Sequence, residues 1–136
     1  MDEENRFLIL SLEGESYAIS IARLAEISAP RQIQKDPNLS EIFEGKVDYR
    51  GKMTPVVNLR KLLKMSSLSG SALLFIKSAK GILGLLVDSV TEIAAVEQPP
   101  EPLPAGVINP SIRYYRGVLR YRDTLALLLD EDGLLP

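Results

Sequence analysis

Glu26 and Arg50 are the residues of this chain whose types and setting point most directly to a specific chemistry. A carboxylate meets a planar guanidinium through two parallel N–H···O bonds, and an arginine held that way is a preorganised recognition fork. Glu26 lies in Leu24-Ala25-Glu26-Ile27, and Arg50 precedes Gly51, whose missing side chain lets the backbone bend beside it. Both types recur, as Glu92 in Val90-Thr91-Glu92-Ile93 and as Arg116-Gly117. An exposed ion pair contributes only about 0–1 kcal/mol, so stability is a weak reason for such a pair. The residues leave two readings open: a cross-strand pair that only joins neighbours, or an arginine held for a partner.

Other constellations carry less. Asp36 with Glu41, and the run Asp130-Glu131-Asp132, supply paired carboxylates of the kind acid–base catalysis uses. They read more simply as solvated turn or helix starts. The chain has neither cysteine nor histidine, which removes disulfides, thiolate nucleophiles, His-assisted serine chemistry and the usual zinc ligands. Gly81 and Gly84 fit neither dinucleotide-binding nor phosphate-loop patterns, and no Ser-x-x-Lys occurs. No enzyme activity, cofactor or bound metal is therefore expected. In "RYYRGVLRYR", arginines alternate with Tyr114, Tyr115 and Tyr121 across 113–122. Such a strand serves a barrel-type RNA-binding module through base stacking. It serves equally as a strand covering a core, with Arg120 and Arg122 outward beside acidic neighbours.

These residues need a scaffold, and the pattern predicts one that is mainly β. The 136-residue length suits one domain, whole or divided into two lobes; net charge is −2, with no basic field to draw nucleic acid or anionic membrane. The acidic start lacks a signal-peptide pattern, and the strongest apolar run, 81–87, is too short to span a bilayer. A cytoplasmic location is expected. Shifting the chain by 66 residues lays Glu26-Ile27 on Glu92-Ile93 and Tyr49-Arg50-Gly51 on Tyr115-Arg116-Gly117. It also lays Leu59, Leu62 and Leu63 on Leu125, Leu128 and Leu129. Two copies of one unit, about 1–66 and 67–132, follow. Each runs strand, Gly-containing turn, strand, third strand, irregular stretch, then two strands about an Arg-Gly. A helical turn is expected over 39–43, closed by Gly45, and a short amphipathic turn at Leu59–Leu63. The Pro-rich "EQPPEPLPAGVINP" reads as a surface connection. Two similar five-stranded β-barrels packed together, with short helical segments, are the predicted architecture.

"YAISIARLAEI", "GKVDYRGKMTPVVNLRKLL", "GLLVDSVTEI" and "YRGVLRYRDTLALLLDEDGLL" stand in an order that resembles the CheW-like coupling domains of bacterial chemotaxis. The resemblance spans nearly all of 1–136, as a single CheW-like domain, and implies that the barrels are SH3-like. It implies a non-catalytic adaptor joining a CheA-type histidine kinase to the cytoplasmic tip of a chemoreceptor. It further implies recruitment to membrane-associated receptor arrays without membrane insertion or nucleic-acid binding. The family's Val-x-Glu-Ile positions fall on Leu24 to Ile27 and its Arg-Gly on Arg50-Gly51, near the working surface. Asp48-Tyr49 stands where Asn-Leu is common, and "QKDPNLSEIFEG" replaces a proline-spaced approach.

The protein-binding residues expected on these grounds are Leu24, Glu26, Ile27, Arg50, Gly51, Val87 and Val90. A receptor tip is a helical hairpin, which calls for an apolar groove. That groove is expected between the two barrels, where Leu24 and Ile27 have repeat partners Val90 and Ile93.

Overall fold

A computed structural model describes residues 5–29, 31–65, 72–103 and 113–134. Its strands run in chain order β1 (Arg6–Leu12), β2 (Glu15–Ser20), β3 (Leu24–Ser28), β4 (Phe43–Tyr49) and β5 (Lys52–Asn58). They continue with β6 (Ala72–Ser78), β7 (Gly81–Val87), β8 (Ser89–Ala95), β9 (Tyr115–Tyr121) and β10 (Thr124–Leu129). A 3-10 turn at Ile21–Arg23 leads into β3, and one short helix, α1 (Leu59–Leu62), follows β5. The protein is mainly β, as its alternating apolar pattern dictates, with two five-stranded sheets consistent with an SH3-like fold. Strands β1 and β6 lie deepest. Their central residues, Leu8-Ile9-Leu10 and Leu73-Leu74-Phe75-Ile76, have no accessible surface, which explains why they read as unbroken apolar runs.

One sheet has the order β8-β1-β2-β10-β9 and the other β3-β6-β7-β5-β4. Each strand of one has its counterpart five places along the chain in the other: β1 with β6, β3 with β8, β4 with β9. The compact units, however, are not the sequence halves 1–66 and 67–132. One unit comprises residues 1–23 with 90–136 and the other residues 24–89. Each sheet takes its first hairpin from one half and its remaining three strands from the other, through parallel pairings β2–β10 and β5–β7.

In the 24–89 unit, Val47, Tyr49, Val56, Leu73, Phe75 and Leu86 form the core, with Ala25, Ile33 and Ile82 against it. The other unit encloses Phe7, Ile9, Ala18, Leu119, Ala126 and Leu128 together with Ala94 and Val96. The helical turn expected over 39–43 is absent. Residues there make turns, β4 begins at Phe43, and Gly45 lies inside that strand. Gly45 is needed there because a Cβ would strike the carbonyl of Gln34, which bridges to Lys46. The amphipathic turn after β5 is present as α1, capped by the Asn58 side chain, which accepts N–H bonds from Arg60 and Lys61. Buried Arg60 then reaches both carboxylate oxygens of Asp88 at 2.6 Å, tying α1 to the end of β7.

Candidate functional site

Glu26 and Arg50 meet. Glu26 is on β3 at one end of the strand order in the 24–89 unit, and Arg50 heads the turn between β4 and β5. Tyr49 pairs with Lys52, leaving Arg50 and Gly51 as a two-residue loop with φ of 53° and 86°. Two successive left-handed residues match the twist of a hairpin, and glycine at the second relieves the strain that a side chain would add. The Asp48 carboxylate accepts the Gly51 N–H at 2.8 Å and fixes the loop. One Glu26 oxygen then lies 3.6 Å from an Arg50 terminal nitrogen. The Arg50 side chain remains 74% exposed, so its guanidinium is oriented yet open to solvent.

Two aromatic rings support this arrangement. Tyr49 and Phe75 stack with centroids 4.2 Å apart and planes at 28°. Arg50 lies over Tyr49 at 5.3 Å, and a second guanidinium, Arg31, lies over Phe75 at 5.4 Å. The other Glu26 oxygen is 3.7 Å from Arg31. One carboxylate thus sits between two arginines, each laid on one ring of a stacked pair. Ile27 and Met53, in the same unit, are exposed large apolar residues at 48% and 47%. Arg31 and Met53 also line a cleft of about 320 Å³ with Asp48, Val47 and Lys46.

The second unit carries a related group, but not the one expected. Glu92 pairs at 3.1 Å with Arg122, not with Arg116. Arg122-Asp123 forms the two-residue β9–β10 loop, with φ of 45° and 59°, whereas Arg116 lies inside β9 and faces buried Glu131 at 3.7 Å. The hairpins correspond at a spacing of 72, Tyr49–Lys52 with Tyr121–Thr124, while the first hairpins correspond at 66, Phe7–Ser20 with Leu73–Leu86. The repeated Tyr-Arg-Gly at 49 and 115 therefore occupies non-equivalent positions in the two hairpins. Leu125, Leu128 and Leu129 are likewise strand residues of β10, not counterparts of the α1 leucines. The true counterpart of Gly45 is Gly117, where a Cβ would strike the Glu101 carbonyl. Ile93 and Leu125 are exposed at 47% and 52%, at the positions answering to Ile27 and Met53.

Among the remaining expected contact residues, Leu24 and Val90 are partly buried, on β3 and β8 in different units. Val87, closing β7, has no accessible surface. The acidic run near the end is not simply solvated. Glu131 is 1% exposed, one of its oxygens has no hydrogen-bond partner, and burial pushes its pKa above the ordinary carboxylate value. Among the described residues, no cluster of acidic side chains is arranged to hold a metal ion. Three of the four arginines in 113–122 have carboxylate partners, Arg116 with Glu131, Arg120 with Glu101 and Arg122, just beyond β9, with Glu92, while Arg113 lies over the Tyr114 ring.

Sequence reasoning missed Arg31, Phe75 and Met53. Arg31 lies in an irregular stretch with no period to place it, and Phe75 reads only as core. Met53, two residues after Gly51, had a usable signal: hairpin alternation puts it on the face opposite buried Thr54.

The described residues form a small, mainly β protein that presents an exposed arginine beside a carboxylate. The chain belongs to the CheW-like domain family, whose model matches residues 6–136. It is 23% identical over 133 residues to chemotaxis protein CheW of Klebsiella aerogenes, covering 95% of this chain and 80% of that protein. It is also 23% identical over 134 residues to chemotaxis protein CheW of Bacillus subtilis, covering 96% and 86%. In fold it resembles the crystal structure of scaffolding protein TtCheW from Thermoanaerobacter tengcongensis. That match has a TM-score of 0.88 at 24% identity and covers 96% of this chain and 92% of the other.

Proposed function

We propose that this chain is a non-catalytic chemotaxis scaffold that couples the cytoplasmic tip of a chemoreceptor to a CheA-type histidine kinase. It works in the cytoplasm, recruited to receptor arrays by those contacts. Family membership supports the scaffold role, and the observation that carries the site is the Glu26–Arg50 pair. Its guanidinium stands on a two-residue turn, 3.6 Å from the Glu26 carboxylate and over the Tyr49 ring, yet is left largely in solvent. An exposed pair of this kind adds little to folding and so is better suited to recognition. Exposed Ile27 and Met53 supply apolar area in the same unit, and burying one such side chain stabilises a complex by roughly 1.5–3 kcal/mol. The carboxylate partners of Arg116, Arg120 and Arg122 weigh against an RNA-stacking role for 113–122, since they offset its positive charge.

Reconstitution with kinase and receptor tests the proposal. Arg50→Glu is expected to fold normally, with stability changed by less than about 1 kcal/mol, and to lose assembly and kinase control. Glu26→Arg in the same chain is expected to restore part of both. Normal assembly by Arg50→Glu would remove the pair from the working surface. Binding to single-stranded RNA that weakens steeply with salt would favour the nucleic-acid role instead.

A further inference from the structure

Arg31 holds more of this site than any other side chain, although no pattern in the sequence draws attention to it. Its Nη1 donates to the Asp48 backbone carbonyl at 2.8 Å, its Nε to the Ser28 hydroxyl at 3.1 Å, and its plane covers Phe75. Its remaining nitrogen faces Glu26 at 3.7 Å. Asp48 is on β4 and Ser28 and Glu26 are on β3, strands at opposite ends of the sheet order with no ladder between them. A planar fork with several fixed donors can join three acceptors at once, whereas a single ammonium on a flexible stem cannot hold all of them in that geometry.

We infer that Arg31 is a positioning residue for the Glu26–Arg50 recognition pair, acting on both members from the exposed stretch beside them. It reaches Glu26 directly. It reaches Arg50 through Asp48, whose backbone it grips and whose carboxylate holds the Gly51 N–H of the Arg50 turn. Glu26 is shared between two guanidiniums, and the Asp48 carboxylate at the Gly51 N–H balances the remaining positive charge, so the cluster is close to neutral. Among the described residues, the related pair in the other unit has no second arginine in the place of Arg31: Glu97 stands 66 residues after it. The two Glu–Arg pairs are therefore not interchangeable docking points.

This inference rests on the proposed scaffold role, and two measurements separate their fates. In the free protein, amide exchange at Gly51 is expected to quicken about tenfold in Arg31→Ala, the loss of one charge-assisted contact. Titration with a CheA-type kinase and with a receptor-tip hairpin identifies the partner released by Arg50→Glu. For that partner, Arg31→Ala is expected to weaken affinity about tenfold, Arg31→Lys by a similar factor, and Arg31→Ala on an Arg50→Ala background by less than about twofold. Unchanged Gly51 exchange, full affinity in Arg31→Lys, or an undiminished loss on the Arg50→Ala background would overturn it. Should Arg31→Ala fail to fold, Arg31→Lys carries each comparison. Wild-type binding of both partners by Arg50→Glu, with faster Gly51 exchange in Arg31→Ala, would remove the docking role and keep the positioning.

Discussion

At the residue scale, two carboxylates with opposite environments should give the protein a readable pH response. Glu44 accepts from the Asn58 side-chain amide at 2.9 Å and lies near Lys35 and Lys61. These contacts, the Asn58 bond foremost, outweigh burial and bring its pKa down to about 2. A carboxylate more acidic when folded stabilises the native state above its unfolded value near 4.5, and that contribution fades as pH falls towards 2. Denaturant unfolding of Glu44→Gln should show a loss on the order of 2–3 kcal/mol at neutral pH that disappears below about pH 2. A difference independent of pH would disprove the linkage. Glu131 behaves in the opposite sense. Its raised pKa means that the native state prefers the protonated form, so its contribution is complete below the unfolded pKa and declines as pH rises through the folded one. Glu131→Gln, which keeps the shape and removes the charge, should leave neutral-pH stability unchanged or raise it by about 1 kcal/mol. A large loss at neutral pH would show that the Arg116 contact, not burial, governs Glu131.

At the scale of elements, the ends of β5 and β10 answer to one another. Asn58 caps α1 with its side-chain oxygen, and Asp130, at the same spacing of 72, accepts from the backbone N–H groups of Asp132 and Gly133. Asn58→Ala removes the cap and the Glu44 partner together, and should cost about 1–2 kcal/mol by chemical denaturation. The glycine pair gives a sharper comparison. Gly45→Ala and Gly117→Ala each force a methyl against a bridging carbonyl, and both should lose more than about 2 kcal/mol. Gly14→Ala, where a Cβ meets open space, should cost only the strain of a left-handed residue, about 1 kcal/mol. Equal losses at all three positions would mean that the bridges at 34 and 101 do not constrain the strands.

At the scale of the whole molecule, interleaving decides how the chain can be cut. Each sheet draws strands from both sides of the 66–71 stretch, so fragments 1–66 and 67–136 each lack partners for every sheet they begin. Apart, both should give far-ultraviolet circular dichroism of an unfolded chain; mixed, they should recover the β spectrum and a single cooperative melt. A folded half, isolated, would contradict the pairing of β2 with β10 and β5 with β7.

Much of this protein is written locally. Short apolar runs, alternating or unbroken, mark the ten strands among the described residues, Gly14 and Gly51 mark tight turns, and Leu59 with Leu62 announces the one α-helix there. The Glu26–Arg50 contact was read from a repeat whose Arg116 copy faces Glu131 and not Glu92, and the family's motifs were legible in order. What the sequence alone left undecided is which distant strands pair. A two-residue period tells each side chain which face it takes but not which neighbour its strand accepts, and parallel pairings such as β5–β7 depend on both partners at once. The register slip has the same origin. Spacings of 66 and 72 differ by an even number, so both place apolar residues on the same faces, and alternation cannot distinguish them. Only the folded hairpin, with Tyr121 opposite Thr124, makes Arg122 the partner of Glu92. Only the approach of β4 to the start of the irregular stretch after β3 brings Arg31 onto Phe75 and Glu26, because a guanidinium selects its acceptors by three-dimensional geometry that no spacing along the chain encodes.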